Sequence, residues 1–423
     1  MAHEGSVPKR AAWGLADQAF SSLTNFALNA VVARSVVPQE FGIFALVFAT
    51  YLLMLGISRS VTTLPLLVRF SSLEEAGWRE GAASATGASL VLGAVAGVVC
   101  CAAGVVFPGV RWPLFALGLT LPGLLFQEAW RHSFMARGAP SLAFAADLMW
   151  ALLLVPAIWA AIELGSSSTA SFVLAWGSSG AVAGSIAAVL GKVKPRPRLT
   201  RAWVRSHWDL GGRQLGEFAA ISGSSQLVMY VAGALGGLVV AGALRAGQVL
   251  LGPLHVALQG IWFVALPEMV RVLRGRPHRF LSASIGMSLV LGTGGLAYVA
   301  LLAILGPHVG SLILGETWRL TRPLVVPLGI AASAWGFWLG ASVGLRAMQQ
   351  PKRSLRARVV VAIVTLLGGT IGVLVGGARG AAWGLAAAAV IGVAVWWRSF
   401  AAAMHDPREP VPESGHAEDE GGY

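Results

Sequence analysis

The chain has 423 residues, 56% of them hydrophobic and only 12% charged, with a formal net charge of +12. A soluble domain carries about 25% charged residues, and burying this much apolar side chain in water would take a core larger than soluble domains build, so most of the chain is predicted to lie in lipid. The basic residues fall in short clusters between apolar runs, which points to membrane topology and away from nucleic acid, and the adjacent Cys100 and Cys101 lie inside an apolar run as small hydrophobes, not as a disulfide framework or a metal site.

Runs long enough to cross about 30 Å of hydrocarbon as helices are predicted at residues 13–34, 41–68, 84–107, 112–134, 141–163 and 170–191. A second set is predicted at 209–235, 238–266, 282–306, 322–346, 358–377 and 380–402. Twelve spans in two groups of six make an all-α polytopic membrane protein with lobes at 13–191 and 209–403. Residues 1–12 are predicted to be a cytoplasmic N-terminus. The first apolar stretch follows Lys9 and Arg10 as a signal peptide would, but it is too long for a signal core and carries Asp17, Asn25 and Asn29, so it is predicted to stay in the membrane. Between the lobes, residues 192–208 hold a Lys-Pro-Arg-Pro-Arg core that favours an extended cytoplasmic linker over helix. The end, 404–423, is acidic, rich in proline and glycine and without hydrophobic period, and is predicted to be a disordered cytoplasmic tail.

The basic residues set the orientation. With the N-terminus inside, the inner segments hold 24 lysines and arginines and the outer loops hold five, namely Arg34, Arg111, Arg319, Arg322 and Arg379. Arg59 and Arg245 remain inside spans. This asymmetry supports an even number of spans with both termini inside. Every outer loop is short, which argues against a polytopic glycosyltransferase or polymerase with an outer catalytic domain.

Displacing the second lobe by 200 residues lays QLGEFAAISGSSQLV on GLADQAFSSLTNFAL and pairs Glu217 with Asp17 and Gln259 with Arg59. Identities are at chance level, and what repeats is an acid near the inner end of each lobe's first helix, followed by hydroxyls and amides. Transporters often contain such repeats, with the substrate site between them.

Polar residues inside the spans are the functional candidates, because an arginine at the centre of an apolar span costs at least about 2.5–3.5 kcal/mol. On the first helix Asp17, Ser21, Ser22, Asn25 and Asn29 fall within an arc of about 140°, and a stripe of this kind faces a wet cavity or another helix. Arg59, in LMLGISRSVTTLPLLV, lies about 13 Å from the inner end of its predicted span. Asp17 and Asp147, in the inner halves of the first and fifth spans, are its expected ion-pair partners. The functional reading gives Arg59 to a phosphate crossing the membrane, with Asp17 and Asp147 tuning it or titrating with it. The second lobe adds Glu217 as a further titrating candidate, Gln226 and Gln259 on the pathway, and Arg245, shallow enough to snorkel toward the outer headgroups. Glu128 and Arg131, three residues apart, read as an ordinary helix-surface pair. GGLVVAG at 236–242 reads as a tight outer turn and His255 as a packed residue. No phosphate-binding loop, nucleophile elbow or metal-ligand spacing is present, so neither an enzyme nor a cofactor is expected.

The segment VVARSVVPQEFGIFALVFA, residues 31–49, resembles the opening hairpin of polysaccharide-export flippases of the multidrug/oligosaccharidyl-lipid/polysaccharide exporter superfamily, where a basic residue ends the first helix and Pro-x-Glu-Phe-Gly starts the second. AGALRAGQVLLGPLHVALQGIWFVALPEMVR (241–271), GLRAMQQPKRSLR (344–356) and GGARGAAWGLAAAAV (376–390) follow in the family's order. The resemblance implies a MATE-like pair of six-helix lobes around a central cavity and alternating access. It also implies movement of a polyprenyl-diphosphate-linked oligosaccharide from the inner to the outer leaflet of a bacterial plasma membrane. Partners would then be membrane lipid, the lipid-linked oligosaccharide and polysaccharide polymerase or assembly proteins. Arg59 takes the cationic-cavity role. The alternatives are a cation-coupled small-molecule exporter of the same fold, worked by Asp17 or Glu217, and a non-transporting scaffold of a polysaccharide assembly complex.

Overall fold

The computed structural model describes residues 7–405, and all regular structure among them is helical. Twelve rods follow one another: α1 (Val7–Ser35), α2 (Pro38–Phe70), α3 (Glu75–Val106), α4 (Pro108–Ala136), α5 (Pro140–Glu163) and α6 (Thr169–Gly191), then α7 (208–236), α8 (238–275), α9 (Phe280–Leu314), α10 (318–347), α11 (351–375) and α12 (378–405). Nine stretches among the described residues are long and apolar enough on their own to cross a membrane. The other three rods come from α1 and α7, whose polar residues dilute their hydropathy, and from the break that divides the last stretch at Gly376 and Gly377, the latter at φ +55°. The predicted 1–12 and 404–423 lie largely outside the described residues; within them, α1 starts at Val7 and α12 ends at His405.

The helix ends follow local chemistry. Pro38 and Pro140 open α2 and α5, where a missing N–H costs nothing. Ser168 and Ser171 form a reciprocal capping box on α6. The turn between α7 and α8 is a single residue, Gly237 at φ +90°, which only glycine adopts without strain. It falls 200 positions after the α1–α2 turn at 36–37, so the register inferred from the polar pattern matches the architecture. The linker departs from expectation. After an extended start it forms a 3₁₀ turn at Pro197–Leu199 and a helix at Thr200–Ser206, because Trp203 buries itself on α2 and so supplies the tertiary contact that proline spacing could not forecast.

Packing repeats between the lobes. α3 packs on α4, α4 on α6 and α1 on α5; likewise α9 packs on α10, α10 on the α11–α12 hairpin and α7 on that hairpin. Two seams join the lobes. Along one, α2 lies against α7 and the start of α8, with Gly42 so close to the Leu238 carbonyl that a Cβ would collide with it. Along the other, α1 meets α8 and α9, and the interactions that hold it lie in the outer half: Arg34 Nη1 donates to Leu312 O at 2.5 Å, Thr317 Oγ1 to Ala33 O at 3.3 Å, and Phe26 faces Gly252. The apolar core follows the same division, since Ala246, Leu250, Leu314, Trp318 and Val325 of the second lobe join the outer core of the first.

Candidate transport site

The local structure around Arg59 begins with a proline. Pro65 has no N–H to give to the carbonyl four residues back, and its ring crowds that carbonyl. Helix α2 responds by widening into a π-turn over Arg59–Thr63. The Val61 carbonyl bonds instead to the indole Nε1 of Trp203, which donates at 3.2 Å. Hydroxyls close up the widened turn, Ser60 donating to Gly56 O at 2.8 Å and Thr62 to Ser58 O at 2.7 Å. Arg59 stands at the head of this turn with its side chain 40% exposed.

Its partner is neither predicted acid. Arg59 Nε donates to Glu128 Oε1 on α4 at 2.7 Å, and Nη2 lies 2.5 Å from the same oxygen. Asp17 and Asp147 belong to Arg131. That guanidinium donates to Asp17 Oδ2 through Nε at 2.9 Å and Nη2 at 2.5 Å, lies 3.3 Å from Asp147 Oδ2, and lies 3.6 Å from Glu128 Oε2. Glu128 and Arg131 are thus no surface pair: Arg131 is 5% exposed, Glu128 7%, Asp147 4% and Asp17 0%. Reading the two as a surface pair hid this network; the signal that could have revealed it is Gln127, Glu128 and Arg131 on one face of an otherwise apolar helix. Gln127 Nε2 donates to Asp147 Oδ1 at 2.8 Å, and His132 Nδ1 lies 3.1 Å from Glu128 Oε1. Asp17 Oδ1 and Gln127 Oε1 are buried without a hydrogen-bond partner among the described residues. Beside Asp147, a cavity of about 10 Å³ lined by Ser21, Thr24, Asn25, Trp150 and Trp176 has room for one water.

Higher on the stripe the amides bond to protein. Asn25 Nδ2 donates to Ser21 O at 3.0 Å and Asn29 Nδ2 to Asn25 O at 2.7 Å. Asn29 Oδ1 accepts from Arg245 Nε at 3.0 Å, and the Arg245 guanidinium lies 4.3 Å above the Phe48 ring. Arg245 therefore does not snorkel. It crosses from α8 to α1 and α2 because Asn29 and an aromatic face offer it more than the distant headgroups do. Gln226 is half-buried on α7 and Gln259 exposed on α8, and among the described residues neither bonds to the charge cluster.

In the second lobe Glu217 Oε2 lies 3.6 Å from Arg358 Nη1, and the Arg346 guanidinium stands 4.8 Å from the Trp262 ring centroid. Sequence reasoning passed over both arginines as loop charges. Asp147 and Arg358 each come seven residues after the proline that opens their helix, Pro140 and Pro351, so equivalent positions carry opposite charge in the two lobes.

The heights of these groups along their unbroken helices lie within about 6 Å of one another. At 1.5 Å per residue, Arg59 lies about 31 Å from the outer end of α2, Arg131 about 30 Å from Arg111, where the regular helix of α4 starts, and Asp17 about 27 Å from the outer end of α1. On the same measure Glu217 lies about 29 Å from the outer end of α7, Arg346 about 32 Å from Val325, where the unbroken helix of α10 starts, and Arg358 about 26 Å from the outer end of α11. These distances are close to the thickness of a hydrocarbon layer, about 30 Å.

No protein-family model matches the sequence, and no curated protein matches it. Solved structures do match over nearly the whole chain. One is the inward-facing conformation of a multidrug resistance MATE family transporter of the MOP superfamily, with TM-score 0.71 and 16% identity over 93% of this chain and 98% of that one. An outward-facing conformation of a transporter so described gives TM-score 0.60 and 14% identity over 96% and 98%. The lipid II flippase MurJ in an inward closed conformation gives TM-score 0.65 and 11% identity over 91% and 88%. The chain has the MATE fold, and its arrangement is more similar to the inward-facing form than to the outward-facing one.

Proposed function

We propose that the protein is a flippase that carries a polyprenyl-diphosphate-linked oligosaccharide from the inner to the outer leaflet by alternating access. The observation that carries this reading is the similar height of Arg59, Arg346 and Arg358, drawn from both lobes, each about 26–32 Å along unbroken helix from its outer end, close to one hydrocarbon thickness. A diphosphate whose polyprenyl chain stays in the inner leaflet arrives at that height. Guanidinium groups bind its oxygens through charge-assisted, paired hydrogen bonds. The seam between α1 and α8, held in its outer half, gives the lipid chain a sideways path. Likeness to the lipid II flippase supports the reading at the level of fold.

The test is flipping of a fluorescent polyprenyl-diphosphate oligosaccharide in proteoliposomes. Arg346→Gln with Arg358→Gln, and separately Arg59→Gln, are expected to slow flipping at least about tenfold, the loss of about 1.4 kcal/mol of binding being a factor of ten. Flipping at wild-type rate by all of them overturns the diphosphate assignment. A second reading, a cation-coupled exporter of small molecules, draws on the unpartnered Asp17 Oδ1 and the water-sized cavity beside Asp147. It predicts drug or metabolite efflux abolished by Asp17→Asn and no flipping by the wild type.

A further inference from the structure

The segment joining the lobes has a second face that transport leaves unused. Lys192, Lys194, Arg196, Arg198, Arg201 and Arg205 are all exposed. The one carboxylate in this stretch, Asp209, is already held 2.5 Å from Arg69 Nη2. Beside these cations Trp208 is 53% exposed and Leu199 37%. The underside is fixed to the first lobe: Arg196 N donates to Ala83 O at 2.8 Å, Arg79 Nη1 to Lys192 O at 3.1 Å, and Trp203 is 4% exposed with its ring 5.4 Å from Phe70. Ala83 lies about 34 Å from the outer end of α3, so the cations stand just beyond the hydrocarbon, in the headgroup layer.

We infer that this linker is a docking surface for anionic phospholipid headgroups of the inner leaflet. Six exposed cations around an exposed indole at headgroup height match a negatively charged lipid surface in both charge and polarity. The seat is rigid, because backbone hydrogen bonds and a buried tryptophan hold the segment against α2 and α3, so the cations are presented without the cost of ordering a free loop. The same seat links the surface to the transport site. Trp203 holds the Val61 carbonyl released by the π-turn, and Gly211 lies against Ser60 O, so lipid bound to the linker steadies the turn that carries Arg59.

The experiment compares amide hydrogen exchange of the full chain in nanodiscs of phosphatidylcholine alone and of phosphatidylcholine with a third phosphatidylglycerol. Exchange across 192–213 and across 59–66 is expected to slow about tenfold with phosphatidylglycerol and to return to the phosphatidylcholine rate in high salt, where the Debye length falls to about 3 Å. The variant Lys194→Gln, Arg198→Gln, Arg201→Gln, Arg205→Gln, which leaves Trp203 and its contacts intact, is expected to exchange alike in both discs while melting within a few degrees of wild type in detergent. Equal exchange of the wild type in both discs, or an undiminished response in the variant, overturns the assignment. Removal of the acidic residues 406–423 gives a further arm: if it alone speeds exchange across 192–213 in phosphatidylcholine, the chain's own tail covers the patch and the lipid assignment falls.

Discussion

Replacing Arg131 with methionine separates the structural charges of the first lobe from those that face the transport path. The guanidinium lies within 3.6 Å of Asp17, Asp147 and Glu128, none more than 7% exposed. Removing one partner of a buried pair costs about 3–5 kcal/mol, because the remaining charge stays out of water without compensation. Here three carboxylates lose a shared cation, and Asp17 loses its only ion-pair partner among the described residues. Arg59 offers the contrast. It is 40% exposed, and Glu128 keeps His132 at 3.1 Å and Arg131 at 3.6 Å when it is gone. Its pair is worth about 1 kcal/mol or less after solvent screening. For a lobe of this size about 1 kcal/mol corresponds to about 2–4 °C in melting temperature, so Arg131→Met is expected to lower it by about 10 °C and Arg59→Met by about 3 °C or less. The assay is thermal unfolding in detergent followed by a thiol-reactive dye, which reports through Cys100, buried in α3, and Cys101. Adding Asp17→Asn to Arg131→Met should recover several degrees, since it removes the charge left alone. An Arg131→Met protein that melts with wild type, or an Arg59→Met protein that falls as far as Arg131→Met, would refute the division.

Three further outcomes follow from the geometry. Pro65→Ala restores an N–H that can reach the Val61 carbonyl, so α2 is expected to tighten toward a regular helix, keep or gain stability, and flip substrate several-fold more slowly because Arg59 turns away from its place; unchanged flipping would show that the π-turn does not position it. Arg34→Ala removes the bond to Leu312 O that joins α1 to α9, and a cysteine placed at Asn29 in a background with both native cysteines replaced by alanine should then be labelled faster from the outer side by an impermeant maleimide. Gly372→Leu puts a side chain where the Gly380 backbone already lies in the α11–α12 hairpin, so it should lower stability by about 1–3 kcal/mol, the usual cost of overpacking, read as a fall in melting temperature.

The sequence revealed the helices better than their ends, and charge positions better than charge partners. Apolar runs and the arginine asymmetry were enough to place twelve rods, including the break at Gly376–Gly377 that hydropathy alone runs across. They were not enough for α3, whose first turns, Glu75 to Ala83, are charged helix ahead of the apolar run that starts the predicted span at 84. Asp17 and Asp147 were recognisable as buried acids because an acid in an apolar run needs a partner. Which arginine they meet depends on how α1, α4 and α5 turn about their axes, and that is set by packing such as Phe144 against Trp13 and Phe20. No periodicity in one helix encodes it. Trp203 shows the same limit: a seven-residue helix after two prolines is not detectable from composition, because its stability comes from a single carbonyl and an aromatic ring on another helix.

On the proposed function, the unequal ways in which the arginines are held set the order of events. Arg131 is saturated by three carboxylates and has no capacity for an incoming anion. Arg59 shares one acid that has two other partners at hand, Arg131 at 3.6 Å and His132 at 3.1 Å. A diphosphate that takes Arg59 from Glu128 therefore leaves that carboxylate with partners in place, and the exchange costs little. In the second lobe Arg358 meets Glu217 only at 3.6 Å, and Glu217 is 48% exposed, so its carboxylate can turn into water as the phosphate arrives. An anion bound to guanidinium groups of both lobes would draw their inner ends together. The outer seam is held chiefly by side-chain to backbone bonds from Arg34 and Thr317 and by the Arg245 to Asn29 bond, none of which pairs full charges. Drawing the inner ends together strains those neutral-acceptor bonds first, and their release opens the outer side once the inner side has closed on the phosphate. The inversion of charge between Asp147 and Arg358 fits this order: the first lobe keeps a nearly neutral, prebuilt network, and the second supplies the positive charge that is left over until the substrate binds.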